Sequence, residues 1–191
     1  DTMDDESAES YLREYNHWIL QVLNIHEAIP GHYTQLVYSN ESPSMIKSLF
    51  GNGAMVEGWA VYTERMMLEE GYGYFEPEMW LMYYKWNLRV IVNTILDYST
   101  HVKGMTKAEA ITLMTEEAFQ QKAEAQGKWK RATLSQVQLT SYYSGYREIY
   151  DFREELKAKQ GEQFDLKTFH EKFLSYGSAP VKYIRQLMFH Q

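Results

Sequence analysis

SAESYLREYNHWILQVLNIHEAI, residues 7–29, carries apolar side chains at Tyr11, Tyr15, Trp18, Val22 and Ile25, three and four residues apart. Arg13, Glu14, Asn16 and Gln21 lie between them. Side chains spaced this way share one face of an α-helix, so the stretch reads as a single amphipathic helix from Ser7 to about Ile29. Outward from it the same period recurs along most of the chain. With only 4 prolines among 191 residues, little interrupts long helices, and 10 methionines and 15% aromatics supply side chains to wedge between them. The predicted fold class is all-α, a multi-helix arrangement forming one domain over residues 1–191.

A second helix is expected to open at Pro43, with Ser42 as cap, and to end near Phe50, before Gly51-Asn52-Gly53. The next runs from about Ala54 to Glu70. Gly71-Tyr72-Gly73 reads as a turn, and Glu76-Pro77-Glu78 starts a helix reaching about His101. Thr106 and Glu109 have the spacing of a capping box and open a helix running to about Gln121. Residues 125–133 are polar with one glycine and read as a loop or helix junction. A helical pattern follows from about Ser135 to Lys159, stopped at Gly161-Glu162. Asp165 is expected to cap a final pair of short helices flanking Tyr176-Gly177-Ser178-Ala179-Pro180.

Charge and length exclude several functions. The net charge of −7, with no basic cluster, repels a phosphate backbone, so no nucleic-acid partner is expected. No apolar run approaches the ~20 residues needed to cross a bilayer, so no membrane insertion of this segment is expected. Without cysteine there is no disulfide framework and no thiolate, and any metal must sit on histidine and carboxylate. Asp1-Thr2-Met3 is neither an initiator methionine nor a signal peptide, and the chain is expected to be an excised piece of something longer.

The chemistry concentrates where the first helix ends, in Asn24-Ile25-His26-Glu27-Ala28-Ile29-Pro30-Gly31-His32-Tyr33. In the H-E-x-x-H pattern two histidines four apart grip zinc, and the adjacent Glu takes a proton from water. Here the histidines are six apart, about 120° off one face of a regular helix. Pro30 cannot supply the N–H that the His26 carbonyl would accept. A two-residue bulge containing Gly31 is expected to return His32 to the face of His26. A third ligand is needed. Glu57 and Glu64, seven apart, share one helical face, so one carboxylate can bind metal while the other orients a ligand histidine, a role that fits Glu64.

His-Glu-x-x-Pro-Gly-His followed by Glu57-Gly58-Trp59-Ala60 resembles the bacterial proteins of the domain of unknown function 885 (DUF885) family, thought to be zinc metallopeptidases. The similarity extends to Ser141-Tyr142-Tyr143-Ser144-Gly145, to Phe169-His170 and to Gly177 through Pro180. The Glu-Gly-Trp segment is also similar to the ligand helix of thimet-oligopeptidase-like peptidases. The resemblance implies a zincin-like catalytic domain that is the C-terminal part of a longer protein, with one Zn²⁺ on His26, His32 and Glu57 rather than Glu64. It implies Glu27 as general base, and a tyrosine hydroxyl at the developing oxyanion, Tyr142 first and Tyr146 second. Peptides would be the substrates, a missing N-terminal portion would complete the cleft, and the compartment would lie outside the cytoplasm. The chain departs from the family pattern at Asn93 and Asp97.

Plainer readings stand beside these. His17, His101 and His190 read as structural or surface histidines, and for His170 packing competes with catalysis. Tyr142 by its spacing alone would be core. Glu14 and His17 match the Glu-x-x-His of di-iron bundles, but a second such motif is missing. The rival functions are a non-catalytic metal-binding or peptide-binding helical module and a histidine/carboxylate iron redox site.

Overall fold

The computed structural model describes residues 4–42 and 44–189, and of Ser48 the backbone alone. The expected helix start at Pro43, the Asp1-Thr2-Met3 start and His190 lie outside the described residues. Every regular element among the described residues is helical. In chain order they are α1 (Asp5–Glu14), α2 (His17–Glu27), α3 (His32–Asn40), α4 (Met45–Leu49), α5 (Gly53–Glu69), α6 (Pro77–Tyr98), α7 (Lys107–Thr112), α8 (Lys122–Leu134), α9 (Gln138–Gln160), α10 (Leu166–Leu174) and α11 (Val181–Phe189). Short 3-10 turns at Tyr72–Phe75 and Gly161–Gln163 and π turns at Ser99–Lys103 and Leu113–Glu117 join some of them.

The chain divides into two compact units, and the boundaries fall inside α2, α5 and α9. The first comprises residues 1–24 and 67–140. Its buried apolar residues include Ile19, Val22, Met79, Tyr83, Leu96 and Met114. α8 packs on α1 and α7. The second unit comprises residues 25–66 and 141–191. Trp59, Tyr62, Phe152 and Phe173 are its largest fully buried side chains, and α10 packs on both α3 and α11.

Several boundaries were readable because each has a specific hydrogen-bonding device. Thr106 and Glu109 form the expected capping box at α7, and the Asp165 carboxylate accepts from the Thr168 N–H at the start of α10. Four expectations need correction. The helix read over residues 7–29 is two helices, because the Asn16 side chain accepts from the backbone N–H of Trp18 and of Ile19 and so starts a new one. The apolar spacing keeps its phase across that break, which hides it. α3 has no counterpart among the expected helices. Residues 125–133 are helical, inside α8: only Ala125, Lys128 and Ala132 are buried there, two alanines and a lysine stem at helical spacing within an otherwise polar sequence. Finally, the chain at Pro30 does not bulge within one helix; α2 ends at Glu27 and α3 begins at His32.

Candidate metal centre

The break at Pro30 sets the position of both histidines. Proline offers no N–H, so the helical ladder stops, and the Gly31 N–H bonds the Ile25 carbonyl instead, at 3.1 Å. Gly31 lies so close to the end of α2 that a Cβ there would meet the His26 carbonyl oxygen at 1.9 Å. Only glycine permits that approach. α3 then starts with His32, and the two imidazole rings lie 4.8 Å apart at right angles. From within α5, Trp59 holds the same turn by donating its indole N–H to the Pro30 carbonyl at 2.8 Å. Trp59 is itself fixed by stacking on Phe173 and by the edge contact of His170.

Glu57 comes from the first turns of α5. Its Oε2 lies 3.4 Å from His32 Nε2 and 4.0 Å from His26 Nε2. One donor atom from each of His26, His32 and Glu57 falls within 4.8 Å of the other two, and among the described residues this is the one histidine/carboxylate trio so arranged. Glu64, two turns further along α5 and fully buried, takes the other side of the first histidine: its Oε1 lies 2.7 Å from His26 Nδ1. That contact turns Nε2 of His26 toward Glu57 and His32.

The trio fits a zinc ion. Ligand atoms about 2.0–2.2 Å from a tetrahedral ion lie roughly 3.3–3.5 Å from one another; the His32–Glu57 separation of 3.4 Å matches this, the His26–Glu57 separation of 4.0 Å is about half an ångström wider, and all three donors lie within 4.8 Å of one another. Two imidazoles and a carboxylate are a donor set zinc accepts with a fourth position open. The local field also favours a cation. Burial alone would lower the His26 pKa, yet the carboxylate of Glu64, with Glu27 and Glu57 beyond it, holds it above the ordinary histidine value. Burial pushes the Glu57 carboxyl up, but hydrogen bonds from His32 and Tyr142 and the nearby His26 bring it below the usual range.

The other expected residues fall in different places. Glu27, the last residue of α2, is exposed. Tyr142, in the first turns of α9, hydrogen-bonds Glu57, and its ring lies nearly parallel to that of His26, with centroids 6.4 Å apart. Tyr146 is buried one turn further on, and its hydroxyl accepts from Arg65 at 3.3 Å. His170 is a packing residue with a polar tip: its Nε2 lies 2.7 Å from the Tyr62 hydroxyl. Burial, reinforced by the positive charge of Arg153, lowers its pKa to about 4. The imidazole is therefore neutral at pH 7, and one tautomer or the other shares a single hydrogen bond with the Tyr62 hydroxyl. Asp97 has a local task, accepting from the Val137 and Thr140 N–H groups and the Thr140 hydroxyl at the entry to α9.

Two features escaped the sequence reading. In the sequence Trp59 stands out only as part of the Glu57-Gly58-Trp59-Ala60 motif, not as the tie to Pro30. Gly58 and Gly145 bring the backbones of α5 and α9 together, since a Cβ on Gly58 would lie 2.3 Å from the Gly145 carbonyl carbon, and one on Gly145 1.7 Å from the Ala54 oxygen. That crossing is one residue from Glu57 and three from Tyr142. A glycine inside each of two long helical patterns was the available signal.

The molecule is thus an all-helical protein whose second unit gathers two histidines and a glutamate into a potential metal site. The DUF885 family profile, described as a bacterial protein of unknown function, matches residues 5–188, and the chain belongs to that family. It is similar to the solved structure of "a putative lipoprotein of unknown function" from Shewanella oneidensis, with 86% identity and a TM-score of 0.92, over 99% of this chain and 35% of that one. A "putative lipoprotein" from Colwellia psychrerythraea is also similar, with 27% identity and a TM-score of 0.89, over 93% of this chain and 31% of that one. The chain spans about a third of the length of these proteins. No curated protein matches it. Among the described residues, no helix is long and apolar enough to cross a membrane.

Proposed function

We propose that this chain is the catalytic portion of a zinc-dependent peptidase, with one Zn²⁺ held by His26, His32 and Glu57. The observation that carries this reading is the convergence of those three donors while Glu64 occupies the far nitrogen of His26. When bound, zinc supplies a Lewis acid that polarises a peptide carbonyl and acidifies water at neutral pH. The Glu27 carboxylate, exposed beside His26, takes a proton from the attacking water and delivers it to the leaving amine. The Tyr142 hydroxyl, which here donates to Glu57, would turn to donate to the developing oxyanion, and Tyr146, whose hydroxyl accepts from Arg65 and keeps its own proton, is the second candidate for that task. Glu64 keeps His26 in the required tautomer and orientation.

The substrates in this reading are peptides, with the remaining part of a longer polypeptide completing the cleft. The description of both solved relatives as putative lipoproteins supports a location outside the cytoplasm. Elemental analysis is the decisive test. Near one zinc per chain is expected, with affinity falling at least ~100-fold in His26→Ala, His32→Ala and Glu57→Ala. Glu27→Gln is expected to retain zinc and lose turnover on a peptide library. Iron in place of zinc would favour a redox site, and zinc without any Glu27-dependent cleavage a binding module.

A further inference from the structure

Helix α3 has its amphipathic pattern reversed. Helices of globular proteins bury an apolar stripe and expose a polar one. Here the buried positions are Gln35 and Ser39, 1% and 5% exposed, and both are tied to the same partner. Gln35 Nε2 donates to Ser178 Oγ at 2.7 Å, and the hydroxyls of Ser39 and Ser178 lie 3.0 Å apart. The outward stripe at one helical spacing is Tyr33, Leu36 and Val37, between 38% and 61% exposed. α4 continues it: Ile46, Leu49 and the following Phe50 are each about 70% exposed. Single exposed apolar residues need no explanation, but a contiguous set on two successive helices marks a surface that something covers.

The chemistry of the surface selects the occupant. Glu41 and Lys47 are the only charged residues between 33 and 50, one of each sign, so α3 and α4 carry no basic face of their own of the kind that holds a helix to a lipid headgroup layer. An apolar face of this kind resembles a protein core cut in half. The solved Shewanella oneidensis protein matches 99% of this chain with only 35% of its own length, so nearly two-thirds of that polypeptide is available to lie against it. We propose that the outward face of α3 and α4 is an intramolecular docking surface, covered by the remaining part of a full-length polypeptide. The inference is independent of the metal reading.

Cysteine labelling tests it, because this chain has no cysteine of its own. Single substitutions equivalent to Val37→Cys and Leu49→Cys are placed in the intact Shewanella oneidensis protein, and the maleimide reaction of each peptide is followed by mass spectrometry. The expected result is reaction at least ~100-fold slower than in denaturant, at a rate independent of protein concentration and of added lipid vesicles. In this 191-residue chain the same substitutions are expected to react within a few-fold of the denatured rate. Hydrogen exchange over 33–40 of the unsubstituted intact protein gives the same answer without a variant. Fast labelling in the intact protein overturns the proposal. Protection that fades on dilution assigns the face to a second copy, and protection only with vesicles assigns it to a membrane; both also overturn it. No outcome depends on bound zinc or on catalysis.

Discussion

The two units each bury charge, and they do so in opposite ways. In the first, Glu14 and Lys128 are nearly inaccessible and Arg89 and Glu124 partly so. Lys85 reaches Glu14 at 3.4 Å, the Gln121 N–H also donates to Glu14, and Arg89 pairs with Glu124. In those two pairs a cation faces an anion, so the charges are compensated within the cluster. In the second unit His26, His32 and Glu57 turn donor atoms toward one another around a common point, and Glu64 supports them from behind. Buried charge alone therefore does not mark a site. What sets the second unit apart is that electron-pair donors converge, with the far nitrogen of one of them already taken by Glu64.

The sharpest way to break that contrast is Gly31→Ala. The added Cβ would overlap the His26 carbonyl oxygen, which belongs to the backbone and cannot swing aside. The expected loss is more than about 4 kcal/mol of stability, or a displaced α3 with zinc affinity lost along with it. Thermal denaturation and zinc titration of the one variant measure both. A stable Gly31→Ala protein with unchanged zinc affinity would mean that the turn does not set the convergence. The first unit's cluster involves no such approach.

The acid stability of the second unit tests its histidine chemistry away from the trio. His170 titrates near 4 when folded and near 6.5 when unfolded, so protons bind the unfolded chain more tightly. Its contribution is intact above about pH 6.5 and is lost as pH falls toward 4. The shift corresponds to about 3 kcal/mol in full. His170→Gln, measured by melting temperature against pH, is expected to flatten the curve between pH 6.5 and 4. An unchanged slope would remove His170 from the buried network with Tyr62 and Trp59.

How much of this was legible follows from where the information resides. The all-helical class, the capping box at Thr106 and the cap at Asp165 rest on neighbours within four residues, and the sequence displays them. The pairing of His26 with His32, and of Glu57 with Glu64, could be framed from spacing because each pair sits in one short segment. The break at Asn16 was hidden because an apolar period can keep its phase through a cap. α8 was hidden because alanine and the stem of Lys128 form its buried seam, with no large apolar residue to announce it. The tie from Trp59 to Pro30 and the contact of Gly58 with Gly145 join residues 29 and 87 positions apart. α3 was hidden by its reversed pattern, since Gln35 and Ser39 become buried only through Ser178, more than a hundred residues away.

A gentler probe of the supporting contact is Glu64→Gln. The amide can still meet His26, but the charge that holds its imidazole is gone, and zinc affinity is expected to fall about 10–100-fold with the fold intact. Loss of that size at Glu64, smaller than at Glu57, would sharpen the distinction between supporting a ligand and being one. Equal losses at the two positions would erase it.

The smallest effect is expected in the first unit, and its sign is the point. Burial, with Arg89 and Arg131 nearby, drives the Lys128 ammonium well below its ordinary pKa even though Glu124 and Glu14 oppose the shift. A lysine depressed in the folded state binds its proton more tightly when unfolded, so stability declines as pH falls below the unfolded value of 10.5. At neutral pH, burying Lys128 therefore works against folding. Lys128→Met keeps the length of the stem and removes the charge, and is expected to stabilise the protein by about 1 kcal/mol, a rise of roughly 2–4 °C in Tm. The gain should shrink toward pH 10, where the lysine in the unfolded chain begins to lose its own proton. Destabilisation by a similar amount at pH 7 would mean that Lys128 is a working partner of Glu14 and Glu124. The cluster would then depend on each of its members as strictly as the trio does, and the contrast between the two units would rest on geometry alone.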